Sequence, residues 1–314
     1  MDALEARHAI APARAEVAMR PALLVFVRGP LAPHAAALDT LWARLRELPA
    51  GQRLKAYRLG AEDKWRTLGN ATAPPLSQRF GLVPERPGCW PLALAEEPGV
   101  PSAGATLDWL GLPPVRDMER ASHLRFVFDD PVSATELAAL GDLVLQHLPV
   151  WWGAGGYAFE FTGGHPDIAG QRIAALAKRH WAAQVQHLSS LQWDALAGLP
   201  SVNWLVLLGP AFLAQAGLSI EALADAVEPR ARSGVYARQG LHGLALAAGP
   251  RPLTGDINGQ DDLAPYAELD RLLAPLRLAT HRPMSGPLSR PEVLEAWLRR
   301  FEDPQGWLAA DVSA

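Results

Sequence analysis

The sequence predicts an α+β fold with largely antiparallel sheets flanked by helices. The first observation is that Leu124, Phe126 and Phe128 alternate with other residues, which is typical of a strand with one face in the core. The second is a capping box, Ser133-x-x-Glu136, before apolar residues at helical spacing. The third is that successive strands are separated by helices in some places and by a hairpin in others, which differs from the strict alternation of parallel α/β folds.

The N-terminal part is expected to contain a loose arm, then a strand and a helix. Residues 1–20 show no clear hydrophobic period and are expected to form the arm. Ala22–Val27 is a short apolar run that stops before a Gly-Pro pair, as a buried strand would. Ala35–Leu48 has apolar residues at helical spacing and predicts a helix, and Leu54–Leu59 predicts another strand.

Residues 73–114 are expected to be the least regular part of the molecule. Prolines, glycines and isolated aromatic residues crowd this stretch, yet it is too apolar for a free linker. We therefore expect an irregular, packed region within a single domain that spans residues 21–314. A weak echo of strand, Gly-Pro or Asp-Pro, and helix leaves two pseudo-repeated halves open as an arrangement within that one compact body.

The C-terminal half predicts further strands and one hairpin. Tyr157–Phe161 alternates like a half-buried strand, and Ser201–Leu208 is largely apolar. Two short segments on either side of Gln239-Gly240 predict a β-hairpin, Val235–Arg238 and Leu241–Ala247. A hairpin joins antiparallel neighbours, which agrees with the predicted class.

Helix starts in this half are marked by residues that can cap first-turn amides. Ser219 precedes a segment with Ile220, Leu223 and Val227 on one face, and Asp262 precedes Leu263–Leu273. Ser289 and Glu292 form a second capping box before an apolar helix that ends near Phe301. A further helix is predicted over Asp167–His180.

Carboxylates are concentrated in the middle of the chain. The net charge of the whole chain is −4, but residues 126–229 hold only Arg172, Lys178 and Arg179 against ten carboxylates, a local charge of −7. Such a field disfavours direct nucleic-acid binding and favours a basic partner. A merely solvated acidic surface is the alternative interpretation.

No sequence motif indicates catalysis, a cofactor or a metal. There is no G-x-S-x-G elbow for a nucleophilic serine, and the glycines near residue 155 precede a predicted strand, whereas a phosphate-binding loop follows one. His180 and His187 are seven residues apart without an intervening glutamate, so packing or surface roles are favoured over zinc binding. We expect a protein that is not an enzyme and has no cofactor.

The cysteine content and the N-terminal segment favour a cytoplasmic protein without a membrane partner. Cys89 is the only cysteine, so it forms no internal disulfide, and a structural thiol is favoured over a nucleophile. The first apolar run, Ala22–Val27, is shorter than the apolar region of a signal peptide or a membrane span.

Carboxylates and a tryptophan pair of the acidic segment are candidate contacts for a protein partner. Asp129 and Asp130 follow a predicted strand, where a loop can present charge on a rigid frame, and Asp142 lies on the helix that comes next. Trp151 and Trp152 are adjacent on an extended segment and point to opposite sides. One of them is therefore a candidate exposed anchor, with burial of both as the alternative.

A second candidate surface lies near the C-terminal turn. Asp261 and Asp262, with the nearby Asp256, faintly resemble a calcium loop, but the ligand order and the terminal glutamate are missing. A turn followed by a helix cap is the favoured interpretation. The two carboxylates are also kept as candidate partner contacts.

Several segments, in order along the chain, resemble the type VI immunity family, which was long catalogued only as a domain of unknown function. The resemblance is carried by Ser201–Gly209 (SVNWLVLLG), Gly255–Asn258 (GDIN) and Ala296–Phe301 (AWLRRF). Upstream, Ala103–Gly111, the strand and helix through Leu148, and Gly155–Glu160 are similar as well. The similarity covers about residues 21–301, nearly the whole chain.

The resemblance implies an immunity protein that binds and neutralises a toxin exported by a type VI secretion system, often a nuclease. The partner is then a cognate toxin encoded nearby, and it is expected to have a basic active-site cleft. The family has no catalytic motif to transfer, and its binding surface varies with the toxin. Two alternatives remain at this point, namely an adaptor that loads the toxin for export and an enzyme of unrecognised type.

Overall fold

The computed structural model describes residues 16–59, 64–69, 90–96, 105–112, 119–128, 133–162, 166–185 and 187–313. These residues build one 11-stranded sheet with helices packed against it, so the predicted α+β class is confirmed. The strands, in chain order, are β1 (Glu16–Arg28), β2 (Ala56–Leu59), β3 (Arg66–Thr67), β4 (Trp90–Ala95), β5 (Thr106–Gly111), β6 (Ala121–Val127), β7 (Trp152–Thr162), β8 (Gln184–Val185), β9 (Leu205–Leu208), β10 (Val235–Gly240) and β11 (Gly243–Ala248).

The strand order in the sheet is β10-β11-β9-β7-β1-β6-β5-β4-β2-β3, with neighbours antiparallel and the short β8 pairing in parallel with β7. The central strand β1 is 13 residues long and pairs with β6 on one side and β7 on the other. Its segment Ala22–Val27 is at most 1% exposed, because both faces of the sheet are covered there. A continuous apolar run is therefore stable as a strand at this position.

The α-helices, in chain order, are α1 (Ala35–Leu45), α2 (Pro49–Arg53), α3 (Ala134–His147), α4 (Pro166–Ala177), α5 (Leu188–Asp194), α6 (Pro210–Gln215), α7 (Ile220–Val227), α8 (Ala264–Leu272), α9 (Pro291–Leu298) and α10 (Pro304–Ala309). Two of the predicted caps are confirmed. The Ser133 hydroxyl accepts from the Glu136 amide at the start of α3, and the Ser219 hydroxyl accepts from the Ala222 amide at the start of α7.

Helix α3 packs closely on the C-terminal half of the sheet and contacts β9, β10 and β11. Its apolar face, Leu137, Leu140, Val144 and Leu145, is buried against the strands. Gly141 allows the close approach, because a Cβ at this position would lie 2.9 Å from Leu205 Cδ2. The main hydrophobic core is continuous and includes residues from Leu23 to Trp307.

The structure corrects several predicted boundaries. Residues 16–20, expected in the loose arm, extend β1 and pair with β7, and the rest of the arm lies outside the described residues. The region 73–114, expected to be irregular, contributes strands β4 and β5, and Cys89 lies outside the described residues. Strand β6 is buried on both faces, whereas the alternation predicted one buried face.

Two local predictions are wrong by one or two residues. The hairpin turns at Leu241-His242, so that Gly240 pairs with Gly243, because the His242 amide donates to Leu145 O of α3. The Ser289-Glu292 capping box is absent. Arg290 occupies the N-cap of α9 and Pro291 the first helical position, so Ser289 lies one residue too early to cap.

Candidate functional site

An open groove separates helix α3 from the β10–β11 hairpin, which we call the α3–hairpin groove. Its volume is about 500 Å³. One wall is the exposed side of α3 and the other is the hairpin. The walls are lined mainly by small side chains, which leave the space unfilled: Ala134, Ala138 and Ala139 on α3, and Ala237, Ala245 and Ala247 on the hairpin.

The floor of the groove includes Trp204, which is held in place by two hydrogen bonds. Its indole Nε1 donates to Gly249 O at 3.0 Å, and its amide donates to the Asn203 side-chain oxygen at 2.7 Å. Asn203 is fully buried, and its side-chain Nδ2 donates to Tyr157 O on β7. The Asn-Trp pair of the SVNWLVLLG segment is thus the part of the sequence that shapes the floor.

An ion pair joins the two walls of the groove. Asp142 of α3 accepts from Arg238 of β10, with 2.7 Å between Oδ1 and Nε, and the side chains are 34% and 51% exposed. Burial raises the pKa of Asp142 above its ordinary value, and the Arg238 guanidinium opposes that rise. The half-exposed geometry makes the pair a weak stabiliser of the fold, of at most about 1 kcal/mol.

Exposed apolar side chains mark the hairpin wall. Tyr236 lines the groove and is 47% exposed, and Leu241 at the turn is 78% exposed. Aromatic side chains with an apolar ring and a polar tip are enriched at protein interfaces. Exposed apolar side chains of this size, one of them lining an open groove, are typical of surfaces that bind proteins.

The structure places one of the predicted contact residues, Asp142, in this groove. Asp129 and Asp130 lie outside the described residues. The chain re-enters the described part at Ser133 and Ala134, and Ala134 lines the groove. The two aspartates are therefore close in sequence to the groove, within five residues of Ala134.

The tryptophan pair does not supply an exposed anchor. Trp151 is 3% exposed and packs edge-on against Phe212 of α6, with Arg28 stacked on its ring. Trp152 is fully buried and donates from Nε1 to Ala195 O at 2.8 Å. The two side chains do point apart, but helices cover both faces of the sheet here. The interpretation with one solvent-facing tryptophan is therefore corrected to burial of both.

Asp261 and Asp262 lie in the C-terminal turn and have structural partners. Asp261 Oδ2 accepts from the amides of Gly255 and Asp256, both at 2.9 Å, and Asp262 Oδ1 accepts from the Ala264 amide at the start of α8. Asp256 in turn forms an ion pair with Arg179. The turn of the favoured interpretation is confirmed, but Asp262 is not the N-cap, because Leu263 occupies that position and the helix begins at Ala264.

The acidic middle segment is partly neutralised by basic residues from elsewhere in the chain. Glu160 is paired with Arg125 at 3.1 Å, and Asp194 with Arg282 at 3.3 Å. Burial raises the pKa of Glu160, and the Arg125 guanidinium opposes that rise. In contrast, Glu221, Asp225 and Glu228 are exposed, and within the described ranges they form no ion pair.

Sequence reasoning missed Tyr236, Arg238 and Leu241 as surface residues. The pattern placed them in the strands of a hairpin and did not indicate their exposure, whereas β10 is exposed over most of its length because it is the last strand of the sheet. The hydrophobic period of a strand does not show whether that strand lies at the centre or at the edge of its sheet. A displaced turn, which exposes Leu241 instead of pairing it, added to the error.

Metal-binding clusters and membrane-spanning helices are both absent from the described part of the chain. No group of three or more His, Cys, Asp or Glu side chains within the described ranges is arranged to hold a metal ion. In that same part of the chain, no helix combines the length and the apolar character needed to cross a bilayer.

The chain resembles known proteins in both sequence and fold. The family model TsiV, described as type VI immunity for VRR-NUC, matches residues 125–301. No curated protein sequence matches the chain. Among solved structures, the Pseudomonas aeruginosa T6SS protein PA0821 is similar with a TM-score of 0.70 and 18% sequence identity, over 98% of this chain and 95% of that one. At this identity the likeness concerns the fold alone.

The matched range contains both walls of the groove, the Asn203-Trp204 floor and the segments at residues 255–258 and 296–301. The resemblance stated from the sequence is therefore confirmed by a match over more than half of the chain. This chain belongs to the TsiV family, the type VI immunity proteins for VRR-NUC.

Proposed function

We propose that the chain binds a cognate VRR-NUC nuclease toxin in its own cell and neutralises it by blocking the toxin's active site or its access to substrate. The observation that carries this proposal is the family match over residues 125–301, which includes both walls of an open, partly apolar groove. The α3–hairpin groove and the acidic residues near it are the proposed contact surface. The toxin inserts a side chain or loop between α3 and the hairpin.

Charge supports the same partner. A nuclease holds the phosphates of its substrate in a cationic cleft, so an acidic protein can occupy that cleft in their place and associate rapidly. Residues 126–229 carry a net charge of −7. Asp129 and Asp130 precede the groove wall formed by α3 in the sequence, so carboxylates and groove can engage one partner together.

In this role the chain is a non-catalytic, cytoplasmic protein without a cofactor, and it does not itself bind nucleic acid. The toxin acts on intracellular nucleic acid, so its inhibitor must be present where that substrate is. A tight complex is expected, nanomolar or better, because a lethal enzyme must be almost fully occupied.

Co-expression with a VRR-NUC toxin tests the function. The chain should restore growth and abolish nuclease activity of the purified toxin, and the two proteins should elute together from a size-exclusion column at micromolar concentration. Binding without inhibition would instead indicate an adaptor that loads the toxin. If the chain neither binds nor inhibits the toxin, it is an enzyme or has another role.

A variant that fills the groove tests the surface. Ala138→Trp places a bulky side chain into the space between α3 and the hairpin, and Ala214→Trp makes the same change on the exposed side of α6. The first should weaken toxin binding by about a hundredfold, the scale of one interface hot spot, while the second leaves it unchanged. Equal affinities for two folded variants would exclude the groove.

A further inference from the structure

We propose that the outer edge of strand β10 receives an extended, basic segment of the toxin as an added antiparallel or parallel strand. This inference rests on the proposed function. It adds a second contact with the toxin, because the edge of β10 offers backbone groups, whereas the groove offers side chains. Strand addition at a sheet edge is a common mode of peptide recognition, in which main-chain hydrogen bonds supply much of the affinity.

The position of β10 in the sheet leaves one of its edges open. It is the terminal strand of the sheet and pairs with β11 on its inner side. The Gly249 amide donates to Gly234 O, which fixes the alternation of the ladder. Tyr236, Arg238 and Gly240 then face β11 with their N–H and C=O groups, whereas Ala237 and Gln239 direct these groups outward.

The outward groups of Ala237 and Gln239 are available to a partner. Both residues are exposed, and among the residues that the structure describes, no donor or acceptor pairs with their outward N–H or C=O groups. Proteins commonly protect such an edge with proline, lysine or a bulge. Between Val235 and Gly240 the charged residue is Arg238, and its side chain turns aside to Asp142 instead of covering the edge.

The helix beside this edge indicates what kind of strand it accepts. Helix α7 packs against β10 and carries Glu221 and Asp225, and Glu228 follows at its C-cap, all three at helical spacing. All three are exposed and form no ion pair within the described ranges. Because this helix contacts β10, its exposed carboxylates make the field near the edge acidic, which favours lysine or arginine residues in an added strand.

A second copy of this chain is a poorer occupant than the toxin. Pairing of two β10 strands would bring two α7 helices to the same sheet edge, each with the exposed carboxylates of Glu221 and Asp225, and repulsion between like charges opposes that assembly. A nuclease, in contrast, carries basic residues to hold phosphates. Charge complementarity thus selects the toxin.

Amide hydrogen exchange on the purified complex tests the inference. The probe is a VRR-NUC toxin that the chain neutralises in co-expression. In the free chain the amides of Ala237 and Gln239 should exchange rapidly, while those of Tyr236 and Arg238 are already protected by β11. In the complex the first two should become protected as well. Unchanged exchange at both positions in a formed complex would overturn strand addition and leave the proposed function standing.

A proline variant provides an independent measurement with a matched control. Ala237→Pro removes one outward N–H without removing a hydrogen bond to β11, and proline is tolerated at a sheet edge. Affinity for the toxin should fall about tenfold, the scale of one lost hydrogen bond that leaves its partner unpaired. Ala237→Ser, which keeps the N–H, should stay within about twofold of wild type. Equal affinity of a folded proline variant would contradict the inference.

The basic character of the added strand is tested by charge removal. The double variant Glu221→Gln/Asp225→Asn should slow association and reduce its dependence on salt. The control is Glu292→Gln/Glu295→Gln, which also removes two carboxylates from a helix, α9, the first of them in the first turn. This control should leave the rate and the salt dependence of association unchanged. Equal effects of both double variants would overturn the role of α7.

Sedimentation of the free chain as a β10-dependent dimer would assign the edge to a second copy and overturn the toxin as its occupant. Failure of the wild-type chain to bind the toxin at all would overturn the proposed function, and this inference with it.

Discussion

The side-chain oxygen of Asn203 occupies the space that any side chain at Gly156 would need. A Cβ at Gly156 would lie 2.2 Å from Asn203 Oδ1, and the backbone of this glycine has a φ of +143°. Asn203 uses the same oxygen to accept from the Trp204 amide. A glycine in β7 and an asparagine about fifty residues later therefore act together to set the floor of the α3–hairpin groove.

Replacement of Gly156 by alanine should destabilise the protein by about 1–3 kcal/mol from backbone strain, with a further loss from the clash with Asn203. Gly217→Ala is the control, because Gly217 also has a positive φ, +70°, but nothing lies within 4 Å of the position that its Cβ would take. Urea unfolding measures both. If the two variants lose the same stability, Asn203 does not restrict residue 156.

Acid should weaken the fold through His281. Burial lowers the pKa of His281 from 6.5 to about 4, so the folded protein prefers the neutral ring. The unfolded chain takes up the proton near pH 6.5 and the folded one only near pH 4. The stability from this group is therefore complete above pH 6.5 and is lost as the pH falls through that window.

His281→Gln should flatten the fall in unfolding free energy between pH 6.5 and pH 4, because glutamine does not titrate. Urea unfolding at a series of pH values gives the slope, and the ring proton shifts of His281 give its pKa directly. A slope unchanged by the substitution would show that other groups determine the acid sensitivity.

The buried Arg300 should be essential to the C-terminal helices. Its Nε donates to Trp181 O at 2.5 Å and its Nη1 to Trp297 O at 3.0 Å. The ring centroids of Trp297 and Phe301 lie 3.7 and 4.4 Å from its Cζ. Arg300→Ala should cost about 3–5 kcal/mol, since a large side chain and two hydrogen bonds are lost from the interior.

Arg300→Lys keeps the charge but loses the planar group that lies against both rings, so it should recover only part of that loss. Chemical denaturation ranks the three proteins. Arg299→Ala is the surface control, because Arg299, the C-cap of α9, is 61% exposed and pairs with Glu295. Full stability of Arg300→Lys would mean that charge alone is needed.

Asp129 and Asp130 remain predicted toxin contacts from the sequence. Their replacement by lysine should chiefly slow association with the toxin and weaken its salt dependence, because steering depends on the acidic field. Stopped-flow association at several salt concentrations measures this. If the folded double variant binds the toxin with an affinity within about twofold of wild type, the contact surface lies elsewhere on the molecule.

Local chemistry explains which elements were predictable. Ser133 and Ser219 cap their helices because the interaction spans three residues and needs no tertiary partner. Ser289 fails because Pro291 fixes the first helical position and shifts the cap to Arg290. Trp151 and Trp152 could not be placed, since their burial depends on Phe212 of α6 and Ala195 after α5.

The groove itself was beyond prediction for the same reason. Asp142 was a candidate because of its charge, but its partner Arg238 lies 96 residues away, and no spacing rule connects them. The edge strand was predicted as a strand, while its exposure follows from its terminal place in the sheet order. Residue types led to the expectation of a basic partner, whereas the groove forms only through the sheet topology.

The same distance between Asp142 and Arg238 has a consequence for how a cell is protected. The two walls come from residues 134–147 and 235–248, so a ribosome must complete most of the chain before any copy has a groove. A truncated or partly degraded copy lacks one wall, so under the proposed function it would not bind the toxin at all. Protection would then scale with the number of intact, folded copies, and translation rate and proteolysis would set the dose of toxin that a cell survives.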